Sequence, residues 1–204
     1  MSKMQKALMV GVWALLVLAM VGVVATRATR PQPQHATAPA APLFAAPSFQ
    51  LVDQNGQPFG SDDLRGKVWI ADFIFTHCGN TCPRMTNERE KLIKAIPDPR
   101  VMFLSISVDP QRDDRTTRKT YAAEKRMDES RWKFVCPPDR AAALKIAQQM
   151  HVAALTSARP GDEPILHSDR FVLLDAAGKI RGIYPLGDEA ALARLVNDAT
   201  ALAR

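Results

Sequence analysis

The chain has 204 residues, 47% hydrophobic and 24% charged, a balance that excludes collagen-like and wholly disordered chains and suits one domain with extras. Its formal net charge of +6 comes from Lys and Arg scattered among Asp and Glu; no dense basic run exists, so the charge reads as solvated surface and no nucleic-acid partner is expected. Three cysteines are too few for a disulfide framework, and only Cys78 and Cys82 stand close together, so chemistry is expected there.

In chain order, residues 7–25, ALMVGVWALLVLAMVGVVA, carry no charge and follow Lys3 and Lys6. A spanning helix needs roughly 20 apolar residues and a cleaved signal peptide about 7–15, so residues 1–25 are expected to form a transmembrane anchor. Cleavage after the small residues near Ala25 is the alternative, and both readings export the domain. Lys3 and Lys6 on one flank face Arg27 and Arg30 on the other; the N-terminus is expected inside. Residues 26–47, TRATRPQPQHATAPAAPLFAAP, lack an apolar period and read as a semi-extended tether. The folded domain is expected over residues 48–204.

Within it, Phe49 to Val52 is β-rich, and KVWIADFIF from Lys67 is almost continuously apolar, as a strand buried on both faces requires. Met85, Leu92, Ile93 and Ile96 then recur at helical spacing, with Pro83 near the start and Pro97 closing the segment. VMFLSISV from Val101 is a second apolar strand, followed by a helix opening at Asp113-Asp114 and reaching about Met127. Trp132 to Val135 reads as a short strand, and Asp139 caps a helix carrying Ala143, Leu144, Ala147, Met150 and His151 on one face. Arg170 to Leu174 and Ile180 to Tyr184 form a hairpin about Ala177-Gly178, and Asp188 opens a last helix. This order predicts an α/β domain with a mixed central sheet flanked by helices, a thioredoxin-like arrangement.

Cys78 and Cys82 leave a buried strand, turn, and enter a helix. A four-residue separation brings two side chains together across one turn, and the unpaired amides of a helix start favour thiolate over thiol. Depressed pKa values are therefore expected, since thiols in such settings fall to about 3.5–7.5. Thiolates there attack disulfides or bind metal, and two of them suit Cu(I) or Zn. A structural disulfide is the bland alternative, but so short a loop gains little closure entropy.

FIFTHCGNTCP, SISVDP from Ser105 and ILHSDRFVLLDAAGKIRG from Ile165 together resemble the Sco/SenC family of copper proteins. Its members are thioredoxin-like and assist assembly of the dinuclear copper site of cytochrome c oxidase. The resemblance implies copper, as Cu(I) or Cu(II), bound by Cys78, Cys82 and His167, with Asp109 of the VDP segment behind them; Gly79 departs from the proline many members carry. It implies as partners the copper-site subunit of cytochrome c oxidase, and periplasmic copper donors or thiol reductants. It also implies a single-pass position in the cytoplasmic membrane with the domain in the periplasm, or in the mitochondrial inner membrane of a eukaryote.

An imidazole ligand usually donates its other nitrogen to a carboxylate or carbonyl, for which Asp109 and Asp169 are candidates. His77 adjoins Cys78, where it can lower the thiol's pKa or contact copper transiently, although an alternating strand end is expected to point it away from Cys78. Met85 fits the apolar helix face, Cys136 a small core residue, and His35 and His151 no ligand spacing.

Three functions compete. The first is a copper chaperone working by ligand exchange, and so no enzyme. The second is a thiol–disulfide oxidoreductase cycling Cys78 and Cys82 to reduce a partner's cysteines, although the three-residue spacer differs from the two of ordinary thioredoxins. A thiol peroxidase is disfavoured, since the Pro-x-x-x-Thr-x-x-Cys pattern of peroxiredoxins is absent before Cys78.

Overall fold

The computed structural model describes residues 41–79, 81–152 and 168–204, together with Gln5, Trp13 and Met20. The chain divides into two units, residues 1–36 and 37–204. In the first, Gln5, Trp13 and Met20 are helical. Among the described residues no helix is long and apolar enough to cross a membrane; the span expected over residues 7–25 otherwise lies outside them.

The second unit is built on a six-stranded sheet in the order β1-β8-β7-β4-β5-β6. Its strands are β1 (Phe44–Ala45), β4 (Val68–Ile74), β5 (Val101–Ser107), β6 (Trp132–Val135), β7 (Arg170–Leu174) and β8 (Lys179–Pro185). β2 (Gln50–Val52) and β3 (Pro58–Gly60) form a separate small ribbon. β4 is buried along all seven residues, as is β5, which explains their apolar sequences. β4 lies parallel to β5, with Asp72 opposite Ser105, and antiparallel to β7; β5 and β6 are parallel. The sheet is therefore mixed, as expected.

Helices α1 (Thr81–Ala95), α2 (Arg115–Glu124), α3 (Arg140–Gln149) and α4 (Glu189–Leu202) link and flank the strands. Asp114, Asp139 and Asp188 cap the last three, each carboxylate accepting a first-turn amide at 2.7–2.9 Å. α1 turns Cys82, Met85, Thr86, Arg89 and Leu92 inward, the three-and-four spacing of a single stripe.

Two elements depart from expectation. β1 lies within residues read as tether, pairing Phe44 with Ile180 and Ala45 with Lys179. A two-residue edge strand has no period of its own to be read; its partner supplies the order. β3 closes back on β2 through Leu51 and Phe59, both buried, although Pro58 and Gly60 give it no strand signature.

Candidate metal centre

β4 ends at Ile74, Phe75 is still buried, and the chain emerges at Thr76 on the carboxyl edge of the parallel β4–β5 pair. Crevices outside such edges are where open α/β sheets collect ligands. The Cys78 amide donates back to the Phe75 carbonyl at 3.4 Å, and α1 begins three residues later. Neither cysteine is in a disulfide, Cys78 being half-buried and Cys82 only 4% exposed. The Cys82 N–H donates to Cys78 Sγ at 3.3 Å. That amide lies in the first turn and has no intrahelical acceptor, so the sulfur takes the place of a capping oxygen.

The electrostatics of Cys82 reverse the expectation of a depressed thiol. Burial, then hydrogen bonding with Cys78, pushes its pKa well above the ordinary thiol range, and the negative charge of Asp72 adds to the effect. Removal of water from a nearly sealed sulfur outweighs the pull of first-turn amides.

Under the corner lies a polar layer that the sequence reading passed over. Arg89 donates from Nε to Asp72 Oδ2 at 2.8 Å, with Nη2 2.6 Å from the same oxygen, and both side chains are 1% exposed. The guanidinium stacks 3.9 Å over Trp132, whose indole N–H donates to Ser105 at 2.7 Å. Burial pushes the Asp72 carboxyl above its usual range, against the opposing pull of Arg89. Beside them Thr86 and Tyr121 share a hydrogen bond of 2.7 Å. The available signal was a lone acid in the otherwise apolar KVWIADFIF run, since charges are almost never fully buried unpaired.

On the other side of the corner Asp113, fully buried, accepts from the Thr76 amide at 3.1 Å, the Thr76 hydroxyl at 2.6 Å and the Ser107 hydroxyl at 2.6 Å. Of the Asp113-Asp114 pair expected at the helix start, Asp114 is the cap and Asp113 turns back to the loop. Asp109 is likewise buried, held by Arg112 and by Arg140, whose Nη2 lies 2.9 Å from Oδ1. Its amide donates to Ser107 Oγ at 3.2 Å, so Asp109 and Asp113 share one serine at the end of β5. Asp169 is exposed, 3.8 Å from Arg170.

His167 lies outside the described residues. Ser168, next in the chain, is buried, and β7 begins at Arg170. Because β7 runs antiparallel to β4, with Val172 opposite Ala71, it enters the sheet from the edge where β4 leaves. Among the described residues no group of three or more His, Cys, Asp or Glu side chains could hold a metal ion.

The remaining candidates have structural places. Met85 is fully buried. Cys136 is half-buried, its thiol donates to the Pro137 carbonyl at 3.4 Å, and burial raises its pKa. His151 stacks on Phe44 at 3.9 Å.

A paired-thiol corner at the carboxyl end of the central strand, opening a helix under a mixed sheet, defines a thioredoxin-like dithiol protein. The SCO1/SenC family profile matches residues 37–201, and the chain belongs to that family. Among solved structures it is similar to a SCO1/SenC family lipoprotein from Bacillus anthracis str. Ames, at 31% identity and a TM-score of 0.72 over 82% of this chain and 100% of that one. BsSco, a member of the Sco family of cytochrome c oxidase assembly proteins in which a disulfide switch is identified, is 27% identical with a TM-score of 0.68 over 80% of this chain and 96% of that one. Copper-bound ScoI of Bradyrhizobium japonicum is 29% identical with a TM-score of 0.59 over 74% of this chain and 97% of that one.

Proposed function

We propose that this chain is a copper carrier that binds one copper ion through Cys78, Cys82 and His167 and delivers it to the copper-site subunit of cytochrome c oxidase. The single observation that carries the reading is the contact of the Cys82 amide with Cys78 Sγ at a strand-to-helix corner. Two soft sulfur donors are thereby gathered before any metal arrives, and thiolates select Cu(I). The entry of β7 from the edge where β4 leaves favours an imidazole supplied from the segment before β7. Likeness to a copper-bound ScoI supports the choice of metal. Binding is ligand exchange: each sulfur gives up a proton as the metal takes its lone pair, and no bond in a substrate is made. Asp109, with its carboxylate oriented by Arg112 and Arg140, is the outer partner for the imidazole. Residues 1–25 anchor the domain, the segment from residue 26 to β1 tethers it, and the domain from β1 onward works on the periplasmic side of the membrane.

The reduced full-length protein should take up one copper per chain with sulfur and nitrogen ligands in its X-ray absorption spectrum. His167→Ala should remove the nitrogen and lower affinity by about tenfold or more, at least about 1.4 kcal/mol. An unchanged spectrum in that variant removes His167 from the site, and a sulfur-free first shell in the wild type overturns the copper assignment.

The second reading, a thiol–disulfide oxidoreductase, is favoured by the two side chains being in contact with no disulfide between them. In it Cys78 and Cys82 join as a disulfide while a partner's disulfide receives the two electrons and two protons. Turnover of a disulfide substrate by metal-free protein, abolished by Cys78→Ser, is its test.

A further inference from the structure

Two side chains of the cysteine loop, Thr76 and His77, are not used by the copper-carrier reading, and a buried carboxylate organises both. Thr76 Oγ1 lies 2.6 Å from Asp113 Oδ1 and 2.9 Å from His77 Nδ1. A hydroxyl has one hydrogen to give. Asp113 also accepts from the Thr76 amide and from Ser107, whose own oxygen accepts the Asp109 amide. Every neighbour of the carboxylate is thus a donor, and the Thr76 hydrogen is directed to it. Toward His77 the same oxygen has only a lone pair left, so the hydrogen between them belongs to Nδ1 of the ring. A neutral imidazole with Nδ1–H has a bare Nε2. His77 is exposed, and the adjacent Cys78 is half-buried.

We infer that Asp113 is a positioning residue that acts through Thr76 to fix His77 in its Nδ1–H tautomer, so that His77 Nε2 is a nitrogen docking point for copper entering or leaving the thiol pair. The second half rests on the copper-carrier reading; the first does not. The transfer is a ligand exchange without electron flow. A bond from Cu(I) to its donor breaks as Cu–Nε2 forms, and Cu–Nε2 then breaks as Cu–S forms, the thiol proton leaving to water. Nε2 is a monodentate stop at the surface, whereas the nearly sealed Cys82 is reached only afterwards.

The test has two arms on the reduced full-length protein. In the metal-free arm, long-range proton–nitrogen NMR of the neutral ring should show His77 with its hydrogen on Nδ1. Thr76→Val should lose that pattern and Thr76→Ser restore it. A wild-type ring with its hydrogen on Nε2 overturns the inference even if Thr76→Val fails to fold, as does a Thr76→Val ring unchanged from wild type. In the metal arm, His77→Ala should slow Cu(I) uptake from a weak chelator, and release to a strong one, by about tenfold each, which is about 1.4 kcal/mol of barrier. Rates equal to wild type overturn the docking role. A wild-type protein that binds no copper overturns the carrier reading instead and leaves the tautomer result standing.

Discussion

Two buried carboxylates flank the cysteine corner, and they solve the same problem in different ways. Asp72 meets a cation: Arg89 pairs with it inside the protein and stacks on Trp132. Asp113 meets neutral donors, an amide and two hydroxyls, with which it binds the loop carrying the cysteines to the end of β5. A buried ion pair tolerates no loss of either partner, because the survivor is a buried charge. A carboxylate satisfied by neutral donors is more forgiving, and its energy is spread over bonds that orient particular side chains. The first arrangement fixes α1 on β4; the second aims the rim of the site.

The sharpest way to break this contrast is Arg89→Ala, which should cost about 3–5 kcal/mol in urea unfolding by leaving Asp72 unpaired. Replacing both partners, as Asp72→Leu with Arg89→Met, should recover most of that loss; if it does not, the pair is more than a structural clasp. Asp113→Ala should cost less, about 2–3 kcal/mol, from donors left without an acceptor.

Away from the corner, Tyr184 donates to Asp198 at 2.6 Å, and burial together with that bond pushes the phenol above its ordinary range. A raised acid is protonated in the folded state where the unfolded phenol has begun to ionise, above about pH 10. Its contribution is therefore complete below that pH and is lost as the pH rises further. Tyr184→Phe should cost about 1 kcal/mol near neutrality yet move the midpoint of alkaline unfolding upward, read by circular dichroism. The smallest change in stability, within about 0.5 kcal/mol, is expected for Cys78→Ser, whose oxygen still accepts the Cys82 amide. The same variant should abolish copper binding, so the rim and the clasp beneath it should separate function from folding.

Much of this was legible in the chain. The unbroken apolar runs of β4 and β5, the capping aspartates at 139 and 188, and the cysteine spacing carry local signals that tertiary contacts reinforce. β1 was not legible, because the strand order of Phe44–Ala45 comes from β8. Nor was the thiol shift at Cys82: helix position alone argues for depression, while the sealing of that sulfur is a property of the assembled core.

By itself, then, the sequence determined the order of the long elements and the pair of sulfurs at one corner, since each follows from periodicity or spacing within a short stretch, and three motifs along the chain carried the resemblance to its family. Only the tertiary structure decided which acids are buried and what they hold. Asp72 finds Arg89 across a strand and a helix, and Asp113 finds Thr76 across 37 positions of chain. The partner of a buried acid is set by everything that packs around it, and a local pattern that marks the burial does not name the partner.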